Sequence, residues 1–355
     1  MAKIGVIGTG WGARVQVPAF RGAGHEIIGI SGFDREKTRR TAEELGGGII
    51  AYDDWRSLIA SPEVELVTIT TPPSEHRAMA AAALAGGKHV ILEKPTAMHA
   101  GEAEELVQLA AQLAARHPGQ IAIIDHELRF LPSWREARER FREIGAIRYA
   151  EVRYASPGRG DRKREWNWWS DAERGGGIWG AVGSHYVDAL RYFGIEIEAA
   201  QALLATAIGE RPYGDGTRAV TSDDIAAVHL RFATGGVASL LFAAVAAGND
   251  EPAVLTIHGE EGAMRFVGEE VLLSQGGSPY KRIAGASLRD LPGNSPGGAF
   301  GSGTVHLAEA LRVALDDGDG SALAPAATFA DGLMQQRVLD AARRSAANDG
   351  RWERV

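Results

Sequence analysis

Hydrophobic and polar positions follow two patterns along the chain, and the change falls near residue 125. In the first stretch, short apolar runs alternate with helical segments. Ile4-Gly5-Val6-Ile7-Gly8 carries no charge and reads as a strand buried on both faces, as in a parallel sheet. Comparable runs stand at 26–31, 64–70, 88–92 and 120–124. The segment following the first run can be helical until Pro18 interrupts it. Residues 34–45 read as a helix with Asp34 as N-cap and Gly46-Gly47-Gly48 as its stop. Ser74 caps a further helix over 75–85, and a long Ala/Glu/Leu helix begins at Thr96 or His99 and stops near Pro118-Gly119. Strands alternating with helices imply right-handed parallel crossovers, so a doubly wound sheet over residues 1–125.

Beyond Asp125 the spacing shortens. A helix over 133–143 alternates Arg with Glu, and 147–154 is strand-like. Short strands are predicted at 225–232, 237–245, 254–257, 264–266 and 271–274, joined by turns such as Thr234-Gly235-Gly236. This is an antiparallel meander, consistent with an open sheet carrying helices on one face. Residues 276–303, dense in Gly, Pro and Ser, read as a long loop of the kind that forms lids. Helices over 304–315 and 328–348 close the chain, the last placed to pack back on the first domain. The second domain is thus 126–355.

Composition narrows the functional classes. The 355 residues, 45% hydrophobic and 24% charged, describe an ordinary globular chain of about two domains. A net charge of −8, without a Lys/Arg-rich block, argues against nucleic acid, and Arg159 to Arg164 reads as a short solvated basic loop. There is no cysteine, which excludes disulfides, thiolate nucleophiles and Cys-ligated zinc, and no metal site is expected. No leader precedes the first strand and no apolar run spans a membrane, so a cytoplasmic location is expected.

The first strand runs into Gly8-Thr9-Gly10-Trp11-Gly12-Ala13. Gly8 allows the tight turn, Gly10 lets a pyrophosphate approach the backbone, and Ala13 lets the helix lie close to the strand. Amide N–H groups at the helix start then face the diphosphate. In a chain of 45 glycines the motif gains its weight from context, because it leaves a strand and opens a helix. The end of the second strand offers Ser31, Asp34 and Arg35. Asp34 suits a ribose hydroxyl, and so NAD, or serves only as an N-cap. Gly32 equally leaves room for the 2′-phosphate of NADP, with Ser31, Arg35 and Lys37 as its donors. Both dinucleotides stay open.

Ligands bind at the carboxyl edge of such sheets, where Thr71-Pro72-Pro73 and Glu93-Lys94-Pro95 also fall. Lys94, partly desolvated there, can serve a substrate oxygen as acid or hydrogen-bond donor; otherwise it is an edge lysine paired with Glu93. In the second domain, Gly175-Gly176-Gly177 leads to a helix on which Ala181, His185 and Asp188 share a face. His185 is a candidate acid/base oriented by Asp188, or a core histidine bonded to that aspartate. Trp166-Asn167-Trp168-Trp169 reads as packing ahead of a sugar-stacking wall.

On these residues, together with His76, Arg129-Phe130-x-Pro132, His185-x-x-Asp188 and Phe329-Ala330-Asp331-Gly332, the chain resembles the Gfo/Idh/MocA oxidoreductase family over essentially its whole length. The resemblance implies a Rossmann domain followed by an α+β domain with a large, open, predominantly antiparallel sheet that often serves as an oligomer interface. A homodimer or homotetramer is the expectation. It implies NAD(P)-dependent hydride transfer to or from a sugar, inositol or related polyol, with Lys94 and His185 at the family's catalytic lysine and histidine. The expected cofactor contacts run through Gly8 to Ala13, Ser31, Asp34, Arg35, Thr71, Pro72, His76, Glu93, Lys94 and Pro95. The sequence departs at Ala181, where inositol-dehydrogenase-like members carry an aspartate. That leaves Lys94 and His185, with Asp188 or Glu127 in support, or a substrate other than inositol. A non-catalytic dinucleotide sensor and an NAD-dependent glycosidase are the alternatives on the same fold.

Overall fold

The computed structural model describes residues 1–248, 252–285 and 297–355. They form two compact units. The first holds residues 1–97, 101–131 and the described part of 287–333; the second holds 98–100, the described part of 132–286, and 334–355.

The first unit is built on strands β1 (Lys3–Ile7), β2 (Glu26–Ser31), β3 (Ile50–Tyr52), β4 (Leu66–Ile69), β5 (His89–Leu92) and β6 (Ala122–Ile124). Their order is β6-β5-β4-β1-β2-β3, all parallel, which is the doubly wound arrangement expected. Ile4, Leu66, Val67, Ile69, Val90, Ile91 and Leu92 are all fully buried, so both faces of the sheet are covered. Side chains alternate between two apolar clusters: Ile4, Val6 and Leu66 lie in one, Ile7, Val67 and Ile69 in the other. Each such side chain contributes about 1.5–3 kcal/mol.

Helices α1 (Val17–Gly22), α2 (Arg35–Leu45), α3 (Trp55–Ala60), α4 (Pro73–Ala85) and α5 (Ala100–Leu113) connect these strands. Pro18 does not end the fingerprint helix. A π-helical turn over Gly12–Gln16 runs into α1, where proline occupies the first turn and no amide hydrogen is needed. Pro72, rather than Ser74, is the N-cap of α4. Asp34 caps α2 by accepting from the Lys37 amide at 2.9 Å.

The second unit carries a nine-stranded sheet. Its strands are β7 (Ile147–Ala155), β8 (Ile197–Ala205), β11 (Ile225–Phe232), β12 (Val237–Ala243), β13 (Val254–Gly259), β14 (Gly262–Val267), β15 (Glu270–Gln275), β16 (Lys281–Ala284) and β18 (Glu353–Arg354). Between β8 and β11 lies a hairpin of β9 (Glu210–Tyr213) and β10 (Gly216–Ala219). The sheet is antiparallel except where β12 runs parallel to β7. Along β11, Ala226, Val228, Leu230 and Phe232 are buried while His229 and Arg231 are exposed. Helices α6 (Pro132–Arg140) and α7 (Ser184–Tyr192) cover the inner face, with Trp134 against Phe266 and Tyr186 against Phe242. The outer face leaves Leu203, Val237 and Leu241 exposed.

The predicted loop over 276–303 is partly replaced by regular structure. Lys281–Ala284 pairs with β15, and α8 (Gly298–Asp316) starts six residues before the predicted 304; only 286–296 fall outside the described residues. Strand β17 (Ala327–Thr328) adds antiparallel to β6 in the first unit. It leads into α9 (Phe329–Ala347), whose first five residues belong to the first unit and the remainder to the second.

Candidate active site

The carboxyl ends of β1, β4, β5 and β6 stand side by side. The strand ladder continues one residue beyond each of them: Thr70 N donates to the Ile7 carbonyl at 2.8 Å, Glu93 N to Ile69 at 2.9 Å and Asp125 N to Leu92 at 2.8 Å. The segments that leave this edge are therefore fixed at their roots.

The glycine turn fits a dinucleotide. Gly8 has φ +130°, and a Cβ on it would run into Thr70. Gly12 is equally confined, by the Thr70 hydroxyl at 2.5 Å and by Val6 at 2.8 Å, so Gly12 makes the close helix–strand approach first assigned to Ala13. Above Gly10 there is open space, with no atom within 4 Å of a Cβ position. The turn thus packs tightly on the sheet and leaves backbone bare on the ligand side. Thr9 and Trp11 flank it half-buried, and Ala13 lies within the core.

At the end of β2, Ser31 is buried and its carbonyl receives the Gly8 amide at 2.8 Å. Gly32 is confined: a Cβ there would stand 2.7 Å from the Thr38 hydroxyl and 2.8 Å from the Thr9 methyl. Asp34 spends one oxygen on its cap, and Arg35 lies 3.9 Å from Asp53 at the exposed surface.

Two further segments are tied together by His76. Its Nδ1 lies 2.9 Å from the Pro95 carbonyl and its Nε2 2.9 Å from that of Thr71, with the ring fully buried. Burial holds its pKa down to about 4, so the ring is neutral and donates to only one carbonyl at a time. His76 braces the Thr71-Pro72 and Lys94-Pro95 segments, the latter joined by a cis peptide. Both ring nitrogens face protein carbonyls.

Beneath half-buried Lys94 lies a polar network inside the apolar sheet. Gln16, on the π-helical turn, donates to Asp125 at 2.7 Å and reaches Glu93 at 3.5 Å; Thr68 donates to its side-chain oxygen. The other Glu93 oxygen accepts from the Lys94 amide at 3.3 Å. Burial raises Glu93 to about 8, so it holds a proton near neutral pH, and burial raises Asp125 as well. Glu127 is raised well above the usual carboxylate range by burial and by the negative fields of Asp125 and Glu93. The Lys94 charge opposes all three shifts. Gln16, Thr68 and Asp125 were not foreseen as site residues; a glutamine between Val15 and Val17 in an otherwise apolar run was the available signal.

In the second unit the triple-glycine run is needed where it stands. Gly177 has φ +113°, and a Cβ on it would strike the Asp223 carboxylate. Asp223 accepts the Trp179 amide at 2.7 Å and, through its carbonyl, the Ile178 amide at 2.9 Å. These bonds anchor a second π-helical turn, Trp179–Gly183, from which α7 continues. His185 and Asp188 lie one turn apart on α7, 5% and 3% exposed, and Gln335 donates to the Ser184 carbonyl at 2.7 Å. Ala181 sits within the π-helical turn, so the one-face geometry expected of a regular helix does not extend back to it. Of the tryptophans, Trp179 is fully buried, whereas Trp166, Trp168 and Trp169 are only half-buried.

Strand order, glycine turn and strand-end lysine together define a nicotinamide-dinucleotide oxidoreductase. Comparison with known proteins agrees. The model of the oxidoreductase family with the NAD-binding Rossmann fold matches residues 2–117, and the GFO/IDH/MocA C-terminal domain matches 134–265. Glucose-fructose oxidoreductase domain-containing protein 2 of Xenopus tropicalis is 32% identical, over 99% of this chain and 93% of its own. Levoglucosan dehydrogenase of Pseudarthrobacter phenanthrenivorans is 28% identical, over 83% and 81%. A solved levoglucosan dehydrogenase in complex with NADH and L-sorbose superposes with a TM-score of 0.85, covering 100% of this chain and 99% of its own at 24% identity. The chain belongs to the Gfo/Idh/MocA oxidoreductase family. Among the described residues no helix is long and apolar enough to cross a membrane.

Proposed function

We propose that the protein is a dehydrogenase acting on a secondary hydroxyl of a sugar, inositol or related polyol, with NAD as the preferred dinucleotide. The observation that carries this reading is the placement of Lys94 on the same strand edge as the open glycine turn. Gly8 to Ala13 would hold the pyrophosphate, Asp34 the adenosine ribose, and Thr71 and Pro72 the nicotinamide side. The match to the NAD-binding Rossmann family model supports NAD. When bound, the cofactor takes or gives the hydride.

His185 or Lys94 would take the hydroxyl proton, and the lysine cation would stabilise the developing alkoxide. Glu93, protonated near neutral pH, limits the negative charge under that lysine. His185, supported by Asp188, is the second acid/base. The relative named levoglucosan dehydrogenase supports a carbohydrate substrate. A cytoplasmic setting and a homodimer or homotetramer complete the reading, the uncovered face of the large sheet supplying the interface.

The test is reduction of NAD⁺ and NADP⁺, side by side, against a panel of aldoses, polyols and inositols. Turnover with one substrate is expected, and Lys94→Ala should lower kcat by about 10²–10⁴ with dinucleotide affinity nearly unchanged. Unchanged turnover in that variant removes Lys94 from the chemistry.

A further inference from the structure

The basic turn after β7 is not simply solvated. Its backbone is pinned, with Arg159 N donating to the Ala244 carbonyl at 2.9 Å and Gly160 N to Pro157 at 2.8 Å. Arg211, on β9 and 2% exposed, donates to the carbonyls of Asp161 at 2.9 Å and Arg159 at 2.6 Å. Arg164 donates to the Gly158 carbonyl at 2.8 Å. Two guanidiniums are thus fastened to the turn by bonds to neutral carbonyls, and the turn itself carries a third, that of Arg159.

Arg159 itself lies over the Trp169 ring, 4.5 Å from its centroid, with one 3.5 Å contact to the Ser170 hydroxyl. None of the three arginines forms an ion pair with a described residue, whereas nearby Arg218 pairs with Asp171 at 3.8 Å. The carboxylates that act on them, Asp224 and Asp161, do so only at longer range. Asp224 is already held by the Ala207 and Ile208 amides at 2.7 and 3.0 Å. Burial and the fields of Arg164 and Arg211 bring Arg159 down to about 10, as expected of clustered positive charge without a counter-ion. Stacking covers the flat face of a guanidinium and leaves its N–H edge pointing outward, the edge that forks onto a carboxylate or phosphate.

We propose that this turn is an oxyanion-recognition site, with Arg159 as the contact residue, for a carboxylate or phosphate group. The turn is tied to the glycine run that precedes the second π-helical turn. Ser222 donates to the Trp169 carbonyl at 2.7 Å, and Gly176 is pressed against the carbonyls of Trp168 and Trp169, one residue before the Gly177 turn. Resting on the dehydrogenase reading, the anion is a substituent of the substrate, which makes the substrate class an acidic or phosphorylated sugar.

The test is calorimetric titration of the full-length protein at low ionic strength with inorganic phosphate and with acetate. Saturable binding of at least one is expected, weakened tenfold or more in Arg159→Met, which keeps the stem on Trp169 but removes the charge, and only partly in Arg159→Lys. Absence of saturable binding to the wild type, or equal binding in Arg159→Met with unchanged circular dichroism, overturns the site. Glucose 6-phosphate, glucuronate and glucose then identify the ligand class. One anionic sugar binding at least tenfold tighter than glucose supports it, and equal binding of all three overturns the substrate assignment. No cofactor is present in these titrations, so anion binding with no turnover of either the polyol panel or the anionic sugars would count against the dehydrogenase reading and leave the site standing.

Discussion

Lys94 works in surroundings that cost stability. Glu93 has a folded pKa of about 8 against an ordinary carboxyl value near 4.5. The folded state therefore holds a proton that the unfolded state has lost, and unfolding gains as pH rises. The stability contribution is complete below about pH 4.5 and declines towards pH 8, by at most ~1.4 kcal/mol per pH unit for one proton. Glu93→Gln cannot titrate, so its urea midpoint should fall less between pH 5.5 and 7.5 than that of the wild type. Equal slopes in the two proteins would place the proton elsewhere. A strained and partly charged interior of this kind is tolerated at functional sites more readily than in a purely structural core.

At the scale of elements, what was legible followed from periodicity and what was missed lacked it. Short apolar runs such as Ile4 to Gly8, bounded by turn residues, read as buried strands, so five strands of the first sheet could be read directly. Strand β3 has three residues, one exposed and two half-buried, and α3 only six, too short for either period to register. Strand β8 was hidden because its alanines read as well for helix as for sheet. Both π-helical turns were invisible, since they are set by tertiary contacts: Gly12 against Thr70 in one case, Asp223 on the Trp179 amide in the other. The candidate site was half legible. Lys94 and the glycines carry local signals, but Gln16, Thr68 and Asp125 meet only once the strands are aligned. The brace between two strand-end segments belongs to this scale as well. His76→Phe keeps the bulk and removes about 1–3 kcal/mol of tethering. It should weaken dinucleotide binding about tenfold in a fluorescence titration while the melting temperature shifts by only a few degrees; unaltered affinity would make the brace purely structural.

For the molecule as a whole, the large sheet has one face of each kind. Leu203 is 67% exposed and Leu241 45%, whereas Ala200 and Ala202 beside the first and Leu240 and Phe242 beside the second are buried. Apolar groups on a broad, flat sheet favour association. Leu203→Asp with Leu241→Asp should convert the proposed oligomer into monomers in sedimentation velocity, and a monomeric wild type would refute that assembly. A different consequence follows from β17 and α8. Leu307, Ala308 and Leu311 of α8 lie in the same apolar cluster as Ile4 and Val6, and Ala327 of β17 pairs with Ile124. A unit whose sheet begins with the third residue is finished only near residue 333. During vectorial synthesis its sheet must wait, with one apolar face uncovered, until most of the chain has left the ribosome. Nascent chains ending before α8 should therefore be the ones that engage holdase chaperones.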